Sequence, residues 1–360
     1  MITIIGAGLA GLATAYRLQQ NGFETEIFEA RDFAGGRIQA AFGAEPANTI
    51  SHQDLGPTWV WPYAQPLTGR WLDELNLATF EQFDSGSALV DIDPESAAQK
   101  QSLPSQFGST RIVGGTAALV QKLREHITGP LNFNCKVKGC RYENNVWHVT
   151  REENSAQQQT VTTVTASQLI VATPLRIAAQ LLDSETLEQS ALLPLLQSVD
   201  TWMAPHAKVV MFYSNPFWRE MGLSGRVVSR VGPLTEIHDH CGPDGSPAAL
   251  FGFSGVPAAT RHANPEGFMR AIHEQLNRCF DESAPQPERI VIKDWAYDGL
   301  TTTDDDRNAP GKHPPIVNKV IRQAHFNRSL WFAASESAQI SPGLIEGALA
   351  RADEIGRDFK

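Results

Sequence analysis

Met1-Ile2-Thr3-Ile4-Ile5-Gly6-Ala7-Gly8-Leu9-Ala10-Gly11 opens the chain, and Phe23-Glu24-Thr25-Glu26-Ile27-Phe28-Glu29 follows one helix length later. Ile2, Ile4 and Ile5 form a short apolar run with strand character. Gly6 allows a tight turn, Gly8 lets backbone approach a pyrophosphate, and Gly11 lets the next helix pack closely on the sheet. Leu12, Ala15, Tyr16 and Leu18 recur at near-helical spacing, and Gly22 is placed to stop that helix. Phe23 to Phe28 reads as a second strand. Glu29 then stands where a carboxylate accepts the hydroxyls of an unphosphorylated adenosine ribose. A Gly-x-Gly-x-x-Gly alone is weak, but strand, glycines, helix, strand and acid arrive in order within about thirty residues, as a dinucleotide fingerprint requires.

The next residues narrow the dinucleotide. Glu29-Ala30-Arg31-Asp32-Phe33-Ala34-Gly35-Gly36-Arg37 carries a second glycine pair and a second arginine that a nicotinamide dehydrogenase does not need. This run resembles the flavin-binding segment of the flavin-containing monoamine oxidase family. The same family has counterparts of Asp54-Leu55-Gly56-Pro57-Thr58-Trp59, a loop beside the flavin ring in which Pro57 here replaces a glycine. It also has counterparts of Leu169-Ile170-Val171-Ala172-Thr173-Pro174 and of Ala333-Ala334-Ser335-Glu336 followed by Gly343-Leu344-Ile345-Glu346-Gly347-Ala348. The resemblance covers nearly the whole chain. It implies contacts to FAD from Gly6, Gly8, Ala10 and Gly11, from Glu29, Ala30 and Arg31, and from Gly36, Arg37 and Ile38. Further contacts are implied at Gly56, Pro57 and Thr58, at Val137 beside the adenine, at Ala172, at Ser335 and Glu336, and at Gly343, Leu344 and Ile345. Ser341 suits an N-cap and Pro342 a first helical residue. A helix starting there offers N–H groups and partial positive charge to the pyrimidine edge of a flavin.

His206-Ala207-Lys208-Val209-Val210-Met211-Phe212-Tyr213 places a lysine inside an otherwise apolar strand. Burying an ammonium is costly, so Lys208 either snorkels from a strand end or has a chemical task. Its spacing to Pro216-Phe217-Trp218 matches the family, whose equivalent lysine holds a water against flavin N5. Trp59 takes an aromatic position that serves either as a pocket wall or as core packing. Lys208 and Trp59 are the candidate catalytic residues.

With 360 residues, 42% of them hydrophobic and 19% charged, the chain has room for two domains and a large core. A net charge of −10 argues against non-specific nucleic-acid binding. Cys135, Cys140, Cys241 and Cys279 show no Cys-x-x-Cys pairing, so neither a disulfide framework nor a zinc site is expected. His238-x-His240-Cys241 could set two imidazoles on one strand face but lacks a third ligand, and no metal is expected. Gly252-Phe253-Ser254-Gly255 lacks the last glycine of a nucleophile elbow. Asp304-Asp305-Asp306-Arg307 reads as a solvated loop, and residues 152–167 as an extended hairpin tip. A chain beginning inside a strand, with no apolar run of membrane-spanning length, is expected to be cytoplasmic and not membrane-bound.

The expected architecture is α/β. A doubly wound, Rossmann-like FAD-binding domain of the GR2 flavoprotein type spans 1–60, 107–197 and 325–360. An interleaved α+β substrate domain spans 61–106 and 198–324. The segment Trp295 to Thr303 contains no cysteine where the family's covalent members attach flavin, so FAD should be non-covalent. Leu344, and Thr301 or a neighbour, replace the two tyrosines of the family's aromatic cage. The resemblance implies an FAD-dependent oxidoreductase that moves a hydride from an amine carbon to flavin N5, with a small amine as partner and oxygen or another acceptor closing the cycle. Two alternatives remain: a renalase-like oxidase of aberrant dihydronicotinamide dinucleotides, and a flavin-loaded protein without turnover. Oligomeric state is not readable.

Overall fold

Alternation along the first strand sets the layers. Ile2 and Ile4 belong to one core and Ile5 to another, because successive strand residues point to opposite faces. The computed structural model of the chain describes residues 1–41, 53–105, 108–154 and 159–359. Among them, Ile2–Ile5 is the middle strand of a five-stranded parallel sheet ordered Leu330–Phe332, Leu169–Val171, Ile2–Ile5, Thr25–Phe28, Leu131–Asn132. On one face the helices Leu9–Gln20, Ala117–His126 and Ile345–Asp358 bury Leu12, Leu119, Leu123, Leu349 and Ile355. The other face is covered by an antiparallel meander of Cys135–Glu143, Val146–Asn154 and Gln159–Ala166, with Trp147 and the helix Leu175–Leu181 against Phe28, Val171 and Phe332.

From Ile2–Ile5 the chain turns one way to Thr25–Phe28, and Leu169–Val171 lies on the other side. That reversal makes a switch point, and ligands of open parallel sheets bind outside the carboxyl ends of the strands there. Gly6 and Ala172, the residues leaving the two central strands, meet at that crevice, with Ala172 N–H donating to Ile5 O at 2.9 Å.

A seven-stranded sheet forms the second layer, ordered Arg289–Asp294, Ala207–Tyr213, Ala248–Ser254, Leu234–Asp239, Leu223–Ser229, Ser87–Asp91, Gln99–Gln101. All its pairings are antiparallel except Leu223–Ser229 with Ser87–Asp91. The helix Pro265–Phe280 buries Phe268, Ile272 and Leu276 against one side. A pair of short strands, Thr79–Glu81 and Thr110–Ile112, stands apart from both sheets.

Three local expectations change. The second strand begins at Thr25, not Phe23. Residues 152–167 are mostly strand, since Val146–Asn154 and Gln159–Ala166 pair in register across them; alternating Val and Thr suits a half-exposed ladder. The tip itself, 155–158, lies outside the described residues. Asp306 is fully buried, in a capping box with Thr303 and an ion pair with Arg176 at 2.8 Å; Asp304 and Asp305 are exposed.

The first helix can approach its own strand only because residue 11 has no side chain: a Cβ there would lie 2.0 Å from Gly6 O. Gly11→Ala should therefore destabilise the fold by about 2 kcal/mol, the usual scale of overpacking, and reduce bound flavin. Urea unfolding identical to that of the parent would contradict this packing account.

Candidate active site

A cavity of about 890 Å³ runs along the switch point and under the seven-stranded sheet. At its first end two glycine turns touch. Gly35 N–H donates to Ala7 O at 2.8 Å, and a Cβ on Gly36 would sit 3.1 Å from Gly8 Cα. Their bare backbones give a floor at the start of the Leu9–Gln20 helix, where unsatisfied N–H groups favour an anion. Glu29 accepts from Ala7 N–H at 2.8 Å and Arg31 N–H at 2.9 Å, which fixes the carboxylate at the cavity edge. Ala10, Ala30, Ile38, Val137 and Ala172 line the same stretch.

The two arginines are already engaged. Arg31 donates to Asp298 at 2.7 Å, and Lys293 reaches the other oxygen of Asp298 at 2.7 Å. Arg37 donates to Glu336 at 3.0 Å and to Ser335 Oγ at 3.0 Å. Burial works against the Arg37 charge, but the Glu336 carboxylate more than offsets it and raises its pKa. Glu336 therefore neutralises Arg37 from behind and does not line the cavity, contrary to its expected direct contact. Gly11 too stands behind the wall, packed on Gly6. The other predicted cofactor positions reach the cavity.

At the far end the Asp54–Thr58 loop is held from several sides. Asp54 accepts from Thr116 N–H at 2.8 Å and Thr116 Oγ1 at 2.6 Å. Asp54 N–H donates to His240 Nε2 at 2.8 Å, so that imidazole is neutral there, in keeping with burial and Arg111 pushing its pKa well down. Trp295 Nε1 donates to Leu55 O at 3.0 Å. A Cβ on Gly56 would lie 1.9 Å from Arg37 O, so the loop lies directly against the nucleotide segment. Pro57 and Thr58 complete this wall.

Lys208 is 1% exposed and does not snorkel. Its Nζ donates to Gly56 O at 3.0 Å and to Thr58 Oγ1, 4.2 Å from the centre of the Phe251 ring. Burial pushes its pKa down to about 7; Asp54 pulls upward, and Arg111 adds to the depression. Trp59 combines both of its expected roles. It lines the cavity, packs on His238 and Phe251 at 4.9 and 5.3 Å, and donates to Gln82 at 2.7 Å. His238 and His240 are thus separately engaged, with Glu236 and Asp54, and among the described residues no metal-holding cluster of His, Cys, Asp or Glu forms.

The last helix starts at Ile345, with Leu344 as N-cap, not at Ser341–Pro342. Ser341 and Gly343 have φ of +43° and +82°, which turns the chain before helix can begin; Gly343, Leu344 and Ile345 all line the cavity. Thr301 and Thr302 lie in the wall as well. Glu236, His206 and Trp202, also in the wall, were not singled out from sequence. Only strand alternation around His238 could have flagged Glu236.

A family profile described as flavin containing amine oxidoreductase matches residues 9–102 and 95–352. The chain belongs to that family. Among curated relatives of this chain, the probable flavin-containing monoamine oxidase A of Dictyostelium discoideum is 28% identical over 163 residues, 42% of this chain and 34% of that protein. The flavin-containing amine oxidase B of Rattus norvegicus is 27% identical over 164 residues, 42% of this chain and 30% of that protein. The matched stretches thus span about a third of those relatives. Similar solved structures include a double mutant of putrescine oxidase (TM-score 0.78, 18% identity, 99% of this chain and 98% of that one). Another is cyclohexylamine oxidase from Brevibacterium oxydans IH-35A (TM-score 0.76, 16% identity, 99% and 98%); at these identities the likeness establishes the fold. Membership brings FAD as cofactor. The residues present fit it: Gly8, Gly36 and Gly56 offer bare backbone to the cavity, with Gly36 and Gly56 pressed against neighbouring backbone that a Cβ would crowd, and Glu29 lines the same cavity.

Because unfolded lysine titrates near its ordinary 10.5 and Lys208 near 7, the unfolded chain holds one more proton between those values, and stability rises with pH across that window. Urea unfolding of the parent and of Lys208→Met at pH 7 and pH 9.5 should show the parent gaining relative to the variant. A constant difference would place Lys208 in a water-like setting.

Proposed function

We propose that this chain is an FAD-dependent amine oxidase-like oxidoreductase acting on a small amine, with oxygen or another acceptor taking the electrons onward. Residues 1–60, 107–197 and 325–360 form its FAD-binding domain, and 61–106 and 198–324 its substrate domain. The observation that carries this reading is Lys208, a fully buried lysine whose Nζ is pinned to the Gly56–Thr58 loop in the cavity wall. No packing role requires an ammonium there.

When bound, FAD supplies the acceptor for the hydride leaving the amine carbon. The protein orients and shields. Lys208, with two of its directions fixed by Gly56 and Thr58, holds a water at the ring-facing wall. A pKa near 7 lets it give or take a proton there. The free N–H groups of the first turn, Ile345 to Gly347, direct partial positive charge at the cavity. Trp59, Thr301 and Leu344 line the cavity and would form the wall that meets the substrate. The imine produced would be hydrolysed by water. The four cysteines are all free, in keeping with a cytoplasmic setting, and no helix among the described residues is long and apolar enough to cross a membrane.

Anaerobic mixing of the FAD-loaded protein with a panel of primary and secondary amines should bleach the flavin with at least one of them. Bleaching by off-isomer dihydronicotinamides alone would replace this reading with the renalase-like one. Non-covalent attachment is tested separately. Of the four cysteines only Cys135 lines the cavity, beside Val137, and the segment from Trp295 to Thr303 has none, so acid precipitation should release all the yellow colour into the supernatant. Flavin remaining in the pellet would refute it.

A further inference from the structure

Two lysines stand opposite each other at one edge of the seven-stranded sheet, because Lys208 pairs with Lys293. Directly paired residues share a face, and like charges in that position weaken a sheet. Strand pairing therefore gives no reason for a cation at 293. The two side chains part. Lys208 turns to the Gly56–Thr58 loop. Lys293 Nζ lies 4.5 Å from the centre of the Trp295 ring and donates to Asp298 Oδ2 at 2.7 Å.

Asp298 joins two walls of the cavity. Its Oδ1 accepts from Arg31 Nη2 at 2.7 Å and from Leu300 N–H at 3.2 Å. Its carbonyl accepts from Thr301 and Thr302 N–H, each at 2.9 Å. Gly299 to Thr302 line the cavity, and so does Arg31. One carboxylate is thus shared by two cations, one on each oxygen. Burial works against its charge, but Arg31 and Lys293 outweigh that and hold the carboxyl below its ordinary value, so it is ionised near neutral pH. Glu29 adds a second carboxylate, with Oε1 3.9 Å from Arg31 Nη1. Arg37, the other arginine of the nucleotide segment, is met by Glu336. Arg31 and Lys293 together balance Asp298 and Glu29; Arg31 alone does not.

We propose that Lys293 is a cofactor-positioning residue acting from behind the cavity wall. By meeting Asp298 on its far oxygen, it keeps the Arg31 guanidinium from being cancelled and leaves that charge for the diphosphate of FAD. This role needs FAD only and holds whatever substrate the enzyme takes. Without Lys293, two carboxylates would face one guanidinium beside a dianionic diphosphate. Like charges a few ångströms apart in a partly buried site repel appreciably, and the surplus falls on the cofactor. An uncharged residue at 298 would remove both that surplus and the need for Lys293.

Release of FAD from the holoenzyme, followed as recovery of flavin fluorescence on dilution, tests the charge balance. Lys293→Gln should release FAD roughly tenfold faster than the parent, the scale of one charge interaction at that range. Lys293→Arg should match the parent. Asp298→Asn keeps an acceptor for Leu300 N–H and should release FAD no faster than the parent. Combining Lys293→Gln with Asp298→Asn should bring the rate most of the way back, which a lysine needed only to fold the loop would not allow. The gap between Lys293→Gln and the parent should also narrow as salt is raised. An unchanged rate in Lys293→Gln, a double variant as fast as that single variant, or a gap insensitive to salt would overturn the proposal. If Lys293→Gln purifies without flavin, the double variant decides: yellow protein upholds the charge balance, and colourless protein overturns it.

Discussion

A guanidinium from residue 37 clasped by a carboxylate from residue 336 holds the two ends of the chain around one crevice. Glu336 is fully buried and its Arg37 partner only partly open, so removing either would strand a charge in low dielectric, the costly case for buried pairs. The pair does more than join segments. Arg37 also donates to Trp202 O at 3.2 Å, and its own carbonyl lies against Gly56. The glycine turn before Arg37, the Asp54–Thr58 loop, Trp202 ahead of the Lys208 strand and the Ser335–Glu336 turn all meet at this one residue. A cavity assembled from segments so distant in sequence needs such a common reference.

Electrostatics around Lys208 follow a different logic. Asp54, Arg111, His240 and Lys208 are all nearly inaccessible to solvent, and they do not pair off simply. Asp54 spends its hydrogen bonds on Thr116, while Arg111 donates to the carbonyls of Cys241 and His240. Burial raises the Asp54 carboxyl and lowers both Arg111 and Lys208. Lys208 is thus fixed by neutral acceptors, a carbonyl and a hydroxyl, with charge only at second remove. That arrangement positions the nitrogen without forcing it to stay protonated, which is what a residue managing a proton near neutrality requires.

The nucleotide half was legible because its rules are local. Gly6, Gly8, Gly36 and Glu29 answer to backbone geometry within a few residues, and each reaches the crevice as read. Lys208 was legible for the opposite reason, as a charge that an apolar strand does not tolerate idly. What escaped was long-range or competitive. Ser341 has the composition of an N-cap, but the turn at Gly343, pressed against Trp202, delays the helix to Ile345. Asp306 sits in a run that looks solvated, yet Arg176 and Thr201 N–H recruit it inward. Glu336 fits a cofactor contact by family pattern, and Arg37 claims it instead. Glu236 depends on the register of three strands, which no single stretch of sequence specifies.

Leu344 and Thr301, both in the cavity wall, make few side-chain hydrogen bonds. Leu344 makes no side-chain capping bond, and Thr301 Oγ1 makes only a long contact to Asp298 O at 3.4 Å, whereas Thr302 beside it is committed to Trp295 O at 2.8 Å. Wall shape and scaffold are therefore separable at these two positions. A substitution at either position would reshape the cavity wall while leaving the Arg37–Glu336 clasp and the glycine turns in place.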